Sequence, residues 1–167
     1  VTITYGDKSD TFTVNVTKPS ITLSDSEKVV ILDKTYQINI TELIPDDVTV
    51  SWESDDEDVA TVVNGLVTAK AEGEATITAS FTYNGTTYSA ECVVTVKMLL
   101  GDINDDGLVN TTDLAQLKLY LVGATTFTDK QLAVADVSQS DGVNTTDLAL
   151  MKLYLAGVFN DFEANNK

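Results

Sequence analysis

Histidine and arginine are missing from the 167-residue chain. Without histidine, the chain has no imidazole base, no imidazole metal ligand and no His-activated serine or cysteine. Without arginine, it lacks the planar guanidinium that holds a phosphate or carboxylate group at two points. A carboxylate-only mechanism would rest on pairs such as Glu53 and Glu57, which lie in an acidic, turn-rich stretch typical of a solvated surface. The chain is therefore predicted not to be an enzyme.

The charge of the chain is strongly one-sided, since 26 acidic residues against 10 lysines give a formal net charge of −16. This charge repels nucleic acids and anionic membrane surfaces, so neither is an expected partner. No segment reaches the ~18 consecutive apolar residues of a membrane-spanning helix. Because the chain begins at Val1 inside a strand-like pattern, without a signal peptide or an initiator methionine, it is expected to be a fragment of a larger protein.

From Val1 to about Val96, apolar residues recur at every second position, which is the period of a half-buried strand. Asn84-Gly85 stands between two such runs and predicts a tight hairpin. Many short strands separated by turns indicate a β-sandwich. The only cysteine, Cys92, cannot form an internal disulfide and follows the apolar alternation of its strand, so it is predicted to be a buried small hydrophobe.

Four short motifs within residues 19–97 resemble the bacterial Ig-like group 2 domain, known as BIG2. They are VSWESDD at 50–56, VATV at 59–62, NGLVTA at 64–69 and GEATITA at 73–79. The resemblance implies an Ig-like sandwich that serves as a spacer or stabiliser. The alternative is a carbohydrate- or cell-surface-binding module, which requires a row of exposed aromatic side chains. Trp52 alternates with Val48 and Val50 and is expected to point inward.

Residues 1–18 repeat the pattern of the closing hairpin of this domain. Their sequence TYGDKSDTFTVNV echoes TYNGTTYSAECVVTV at 82–96. They are either the C-terminal strands of a preceding Ig-like module or strands added to the edge of the sandwich.

After Met98 the apolar period changes to that of helices, and the segment repeats itself. NTTDLAQLKLYLVG at 110–123 returns as NTTDLALMKLYLAG at 144–157. The duplication predicts a small all-α domain over residues 98–167, with a short helix from a Thr128 cap to about Ala135 between the repeats. An apolar stripe at spacing 3 and 4 predicts its core: Leu114, Leu117, Leu121, Leu148, Met151 and Leu155. The two ends are expected to meet through Met98, Leu99 and Leu100 on one side and Val158, Phe159 and Phe162 on the other.

The first repeat opens with the loop Asp102–Asp113, which has oxygen-bearing side chains at positions 1, 3, 5, 9 and 12 and Gly107 at position 6. This is the EF-hand spacing, in which alternate residues supply the roughly six to eight oxygens that calcium requires. Three carboxylates this close would repel one another without a cation. The predicted ligands are the side chains of Asp102, Asn104, Asp106 and Asp113, the carbonyl of Leu108, and Asn110 through a water molecule.

The second loop keeps the length and both end residues of the first but changes the middle. Its predicted ligands are Asp136, Ser138, Ser140, Gly142, Asn144 and Asp147. Gly142 lies at position 7 instead of 6, so Asp141 is expected to take the positive φ of the turn and to be available as a replacement ligand. With two carboxylates instead of three, this loop is predicted to bind calcium more weakly.

A second stripe on each helix adds more apolar surface than a domain of this size can bury. The stripe runs Thr112, Ala115, Leu119, Val122 and is mirrored by Thr146, Ala149, Leu153, Ala156. We therefore predict two nearly identical exposed faces that suit packing onto a flat partner sheet. For any single residue, the alternative is packing against segment 124–135.

Two features depart from a calcium sensor: no helix fits between the strand pattern near Val96 and Asp102, and both loops end in Asp instead of Glu. With Asn-Thr-Thr-Asp-Leu and Lys-Leu-Tyr-Leu in both repeats, residues 100 to about 160 resemble type I dockerins. The resemblance implies cohesin contacts at Thr111, Thr112, Ala115, Lys118 and Leu119, and at Thr145, Thr146, Ala149, Lys152 and Leu153.

The predicted fold class is two-domain, with an all-β Ig-like sandwich followed by a small all-α dockerin with two calcium-binding loop-helix repeats. The dockerin resemblance implies two calcium ions and the cohesin module of a scaffoldin as partner. Because the two predicted faces are nearly identical, we hypothesise that the partner binds in either of two orientations related by a half-turn. It also implies a secreted protein, monomeric before complex formation, in the cell-surface multi-enzyme complex of a polysaccharide-degrading bacterium.

Overall fold

A computed structural model of the chain describes residues 2–5, 7–11, 13 and 17–162. The chain divides into two compact units, Val1–Val96 and Lys97–Lys167. The first is built from strands and the second from helices, in agreement with the change of apolar period near Met98. Within the described residues, no helix has both the length and the apolar character needed to cross a membrane.

The first unit is a sandwich whose two larger sheets share one core. Its strands are β1 Thr2–Tyr5, β2 Lys8–Thr11, β3 Ser20–Leu23, β4 Glu27–Ile31, β5 Thr35–Gln37, β6 Ile40–Ile44, β7 Ser51–Ser54, β8 Ala60–Val63, β9 Leu66–Ala69, β10 Gly73–Tyr83 and β11 Thr86–Lys97. The sheet orders are β4-β11-β10-β7, β5-β9-β8, β3-β6 and β1-β2. Ile77 and Val94 of the four-stranded sheet meet Ala60 and Val67 of the three-stranded sheet in the main core. These two sheets therefore pack face to face.

The hairpin predicted at Asn84-Gly85 is present and joins the two longest strands. Tyr83 pairs with Thr86, and the two residues between them have φ values of 50° and 79°. Positive φ at both central positions is the requirement of a type I′ turn, whose twist matches that of the flanking strands. The hairpin turn thereby fixes which residues of β10 and β11 face the core.

Trp52 and Cys92 both lie where the apolar alternation places them. Trp52 is half-buried and packs against two core clusters of the sandwich, so it offers no exposed aromatic platform. Cys92 is fully buried, and desolvation by burial raises the pKa of its thiol. The interpretation of Cys92 as a small core hydrophobe is confirmed.

The N-terminal residues form a hairpin of their own. β1 pairs antiparallel with β2, from Thr2 opposite Thr11 to Tyr5 opposite Lys8. Among the described residues, neither strand joins another sheet. Phe12, Val14 and Val16, which continue the apolar alternation of this segment, lie outside the described residues. The origin of this hairpin, from a preceding module or as edge strands, remains a prediction.

Gly65 and Gly85 form a matched pair for testing how tightly the sandwich is packed. Both have a φ of +79°, but only Gly65 is crowded. A methyl group on Gly65 would meet the Ile38 carbonyl oxygen and lie 2.8 Å from Gln37 Nε2, whereas one on Gly85 meets nothing within 4 Å. Gly85→Ala should cost about 1 kcal/mol from the positive φ alone, and Gly65→Ala roughly 3 kcal/mol or more because overpacking is added.

Urea unfolding followed by the fluorescence of Trp52, the only tryptophan, measures both losses. Equal destabilisation of the two variants would mean that the space around Gly65 is not limiting.

The second unit contains helices α1 Thr111–Leu121, α2 Asp129–Ala135 and α3 Thr145–Leu155. Asn110, Thr128 and Asn144 begin them, each within a reciprocal capping box. The helix predicted from the Thr128 cap to Ala135 is therefore confirmed. α1 and α3 each end in a Schellman motif, with Gly123 and Gly157 at φ values of 71° and 73°.

The core of the second unit includes five of the six predicted residues. Leu117 and Met151 are fully buried, and Leu114, Leu121 and Leu148 pack against them, but half-buried Leu155 is outside the cluster. The structure adds Leu100, Ile103, Val134, Ala135, Val137 and Phe162.

The predicted contact between the two ends of the second unit is present in part. Leu100 and Phe162 are buried in this core, and Met98 and Phe159 pack against it. Leu99 is half-buried and lies outside the cluster. Val158 is 66% exposed, so its predicted place in this contact is wrong.

Candidate functional site

The two ends of the first loop are buried carboxylates that hold the chain in a tight curve. Asp102 is 5% exposed and accepts hydrogen bonds from the backbone N–H groups of Asp106 at 3.1 Å and Gly107 at 2.8 Å. Asp113 is fully buried and accepts the N–H groups of Ile103, Asn104 and Asn110 at 2.9, 3.1 and 2.9 Å. Both ends of the loop therefore converge on its interior.

The middle of the first loop contributes further oxygens. Asn104 Oδ1 accepts the Asp106 N–H at 3.1 Å, and Asp106 Oδ1 accepts the Leu108 N–H at 2.9 Å. The Asn104 amide also donates to Asp106 Oδ2 at 2.8 Å. Asp105 and Gly107 have positive φ values of 59° and 88°, which bend the chain around this interior.

The electrostatics of the first loop favour a cation. The hydrogen bonds of Asp102 and Asp113 within the described residues come from backbone N–H groups, and neither carboxylate meets a lysine. A buried charge without a counter-charge is costly. A hard divalent cation would offset that cost through the oxygen donors already present, so the residues of the first loop fit calcium.

The second loop repeats the end of the first. Asp147 is fully buried and accepts the N–H groups of Ser138 at 2.9 Å and Asn144 at 2.7 Å, as Asp113 does in the first repeat. Its start and middle differ, because Ser138 Oγ donates to Asp136 Oδ1 at 3.1 Å and lies 2.9 Å from Ser140 Oγ. The amide of Asn144 donates to the Gly142 carbonyl at 2.8 Å.

The turn of the second loop corrects one prediction. Positive φ occurs at Gln139, 52°, and Gly142, 74°, and not at Asp141. Glycine adopts this conformation without steric cost, whereas any other residue pays for it. The left-handed residue therefore moves one position along the chain, from 6 in the first loop to 7 in the second, to coincide with glycine.

No group of three or more His, Cys, Asp or Glu side chains is gathered to hold an ion among the residues that the structure describes. The predicted donor sets depend also on Asn104, Ser138 and Ser140 and on the carbonyls of Leu108 and Gly142, which are other kinds of donor. The assignment of individual calcium ligands therefore stays a prediction.

Every residue predicted to contact a partner is exposed. The set is Thr111, Thr112, Ala115, Lys118, Leu119 and Val122 on α1 and its C-cap, and Thr145, Thr146, Ala149, Lys152, Leu153 and Ala156 on α3 and its C-cap. Leu119 and Leu153 leave 50% and 44% of their surface in solvent, and Val122 leaves 76%. Lys118 and Lys152 occupy equivalent positions, and neither forms an ion pair with the described residues. Each helix thus presents an apolar face with one lysine.

Sequence reasoning missed one exposed residue of the second face. The N–H of Val158 bonds to the carbonyl of Leu153 at 3.0 Å, which brings two exposed aliphatic residues together. In the first repeat, Ala124 makes the same bond to Leu119. The signal was available, because a residue that follows a C-terminal glycine commonly contacts the last turn of the helix.

Comparison with protein families agrees with the division into two units. Residues 16–94 match the family model of the Bacterial Ig-like domain (group 2), and residues 100–156 match that of the Dockerin type I domain. The chain joins a group 2 Ig-like domain to a type I dockerin. Both families are non-catalytic modules, and type I dockerins as a family bind calcium. The two predicted resemblances are confirmed in their order and position.

Several solved structures are similar to parts of this chain. A chain from the complex of the third ScaC cohesin with the ScaB dockerin of Acetivibrio cellulolyticus shows 23% identity and a TM-score of 0.39, over 42% of this chain and 100% of that one. Domains 4 and 5 of the S-layer protein SbsC show 22% identity and a TM-score of 0.39, over 56% and 61%. At these TM-scores neither likeness decides a function. The comparison with curated proteins gave no match.

Proposed function

We propose that the dockerin binds the cohesin module of a scaffoldin in a calcium-dependent manner and so anchors its parent protein in a cellulosome-type complex. One observation carries this proposal: two equivalent helix faces are exposed, and each directly follows a loop closed by a buried carboxylate. A buried charge in the loop and apolar surface exposed on the helix both cost free energy, and binding of a cation and of a partner would offset these costs.

Calcium is proposed to bind the first loop through Asp102, Asn104, Asp106, Leu108, Asn110 and Asp113. A second, weaker site is proposed at Asp136, Ser138, Ser140, Gly142, Asn144 and Asp147. The bound cation supplies the positive charge that the loop interior lacks. Because Asp113 is also the N3 residue of the capping box that begins α1, loop closure and helix formation are linked.

The cohesin contact is proposed to use one face at a time. Thr111 and Thr112 provide hydroxyl groups at the helix start, Leu119 and Val122 provide apolar surface at its end, and Lys118 favours an acidic rim on the partner. The equivalent residues on α3 offer the same groups, so the complex is proposed to form in either of two orientations.

The Ig-like domain is proposed to act as a spacer, and the whole protein to function outside the cell, at the surface of a bacterium. The half-buried position of Trp52 supports the spacer role over carbohydrate binding, which requires exposed aromatic rings. This part of the proposal predicts no retention of the chain on plant polysaccharides.

Affinity capture with immobilised cohesins tests the central proposal. The panel should include the ScaC cohesin together with unrelated cohesins, each assayed with calcium and with EDTA. We expect at least one cohesin to retain the chain in calcium and to release it in EDTA. Retention that survives EDTA, or no retention by any cohesin, would contradict the proposal.

A further inference from the structure

α2 connects the first calcium loop to the second. Three contacts join α2 to the first loop or to Gly101, the residue before it. The Gly101 N–H donates to the Val134 carbonyl at 2.7 Å, and Gln131 Nε2 donates to the Ile103 carbonyl at 3.2 Å. Lys130 forms an ion pair with Asp105 at 3.1 Å. The C-cap of this helix is Asp136, which is also the first residue of the second loop. A closed first loop therefore fixes where the second begins.

The core supports the same connection. Ile103 and Val137 occupy position 2 of their loops, are 2% and 0% exposed, and belong to the same buried cluster. Burying one apolar residue from each loop in a shared core ties the two loops to a common set of partners, among them Leu117 and Met151.

The second loop replaces two inner side chains of the first loop with hydroxyl groups that hydrogen-bond to its own residues. Ser138 and Ser140 replace Asn104 and Asp106 of the first loop. The Ser138 hydroxyl donates a hydrogen bond to Asp136 at 3.1 Å. Positions 3 and 5 of this loop thereby carry no charge and are hydrogen-bonded, while Asp141 at position 6 is an exposed carboxylate. Fewer carboxylates also mean less mutual repulsion in the absence of a cation.

The carbonyl that the EF-hand pattern assigns to position 7 is used inside the second loop. Gly142 provides it, and the side-chain amide of Asn144 donates to it at 2.8 Å. The shift of the left-handed residue to position 7 accompanies this bond. The second loop therefore departs from the EF-hand donor arrangement at three of its inner positions, namely those of Ser138, Ser140 and Gly142.

We propose that a single cation in the first loop folds the whole dockerin, with the second loop closed by hydrogen bonds between its own groups. The form with one calcium then presents both helix faces, and filling of the weaker second site adds little to folding. This inference rests on the proposed calcium binding by the first loop and goes beyond it, since it assigns different roles to two loops of common origin.

A calcium titration of the intact chain, followed by amide hydrogen exchange in NMR spectra, tests the inference without mutation. The informative amides are those of Ser138 and Asn144, which donate to Asp147 at the second loop, with those of Ile103 and Asn110 as the reference at the first. We expect one molar equivalent of calcium to protect all four amides together. Protection of the second pair only on the second equivalent would overturn the inference.

Asp102→Asn and Asp136→Asn provide a matched pair of variants. Each removes a charge at position 1 of its loop and keeps an oxygen that accepts hydrogen bonds. We expect Asp102→Asn to lose the calcium-induced rise in melting temperature and Asp136→Asn to keep most of it. An equal loss in both variants would overturn the inference. No calcium response in the unaltered chain would instead overturn the proposed calcium binding itself.

Discussion

Removal of calcium with EDTA is expected to abolish the helical circular dichroism signal while the Ig-like domain stays folded. Asp102 and Asp113 are 5% and 0% exposed, and both carboxylates accept hydrogen bonds from backbone N–H groups of the loop. A domain of fewer than about 80 residues rarely draws more than about 3–5 kcal/mol of stability from its core. Leaving two buried carboxylates without a counter-charge removes several kcal/mol, roughly the whole of that reserve.

The chain carries a separate reporter for each domain. Ellipticity at 222 nm follows the helices, which lie in the second unit, and the fluorescence of Trp52 follows the sandwich. After EDTA treatment the helical signal should fall and return on calcium addition, while the tryptophan emission maximum stays constant. An unchanged helical signal after exhaustive chelation would contradict the role of calcium in folding. A simultaneous change of both signals would mean that the domains unfold together.

Replacing the threonines of both faces is expected to abolish cohesin binding, whereas replacing those of one face should barely affect it. Because either face can serve, loss of one orientation costs a statistical factor of about two in affinity, or about 0.4 kcal/mol. Glutamate is the suitable replacement for Thr111, Thr112, Thr145 and Thr146, since an acidic residue in the first turn is favourable for the helix. Loss of binding would then reflect the altered face and not an unfolded helix.

The matched control is the double replacement of Thr125 and Thr126 by glutamate. Both residues are exposed between α1 and α2 and lie outside the two faces. Binding should be measured by calorimetry against a cohesin that captures the unaltered chain. A large loss from Thr111→Glu with Thr112→Glu alone would show that one orientation dominates. Unchanged binding after replacement of all four threonines would remove the helix starts from the interface.

Features set by local sequence could be predicted. Asn84-Gly85 specifies its turn because both residues tolerate positive φ, and the Thr128–Gln131 pair begins α2 through two reciprocal hydrogen bonds. The exposure of both helix faces followed from the repeat, since α1 and α3 share their spacing of apolar residues. In each case, neighbouring residues along the chain carry all the information.

Features set by contacts between distant residues could not be predicted. The burial of Ile103 and Val137 depends on how two loops meet across the domain, and a single apolar residue inside a polar loop gives no periodic signal. Two rules conflict over the left-handed residue of the second loop. Alignment of the two repeats places positive φ at Asp141, whereas the steric preference of glycine places it at Gly142. In the structure, Gly142 has the positive φ.

Asp113 closes the first loop and also belongs to the capping box of α1, and it uses one carboxylate for both roles. Asp147 does the same for the second loop and α3. One oxygen of Asp113 accepts N–H groups from the loop start, and the other accepts the N–H of Asn110, the first residue of the helix cap. The proposed calcium ligand and the helix cap are therefore adjacent in the chain, with Thr111 and Thr112 directly between Asn110 and Asp113. In the proposed calcium site, the ion therefore acts on the proposed partner-binding face through a single side chain, which would ligate the ion and already orders the first turn of the helix.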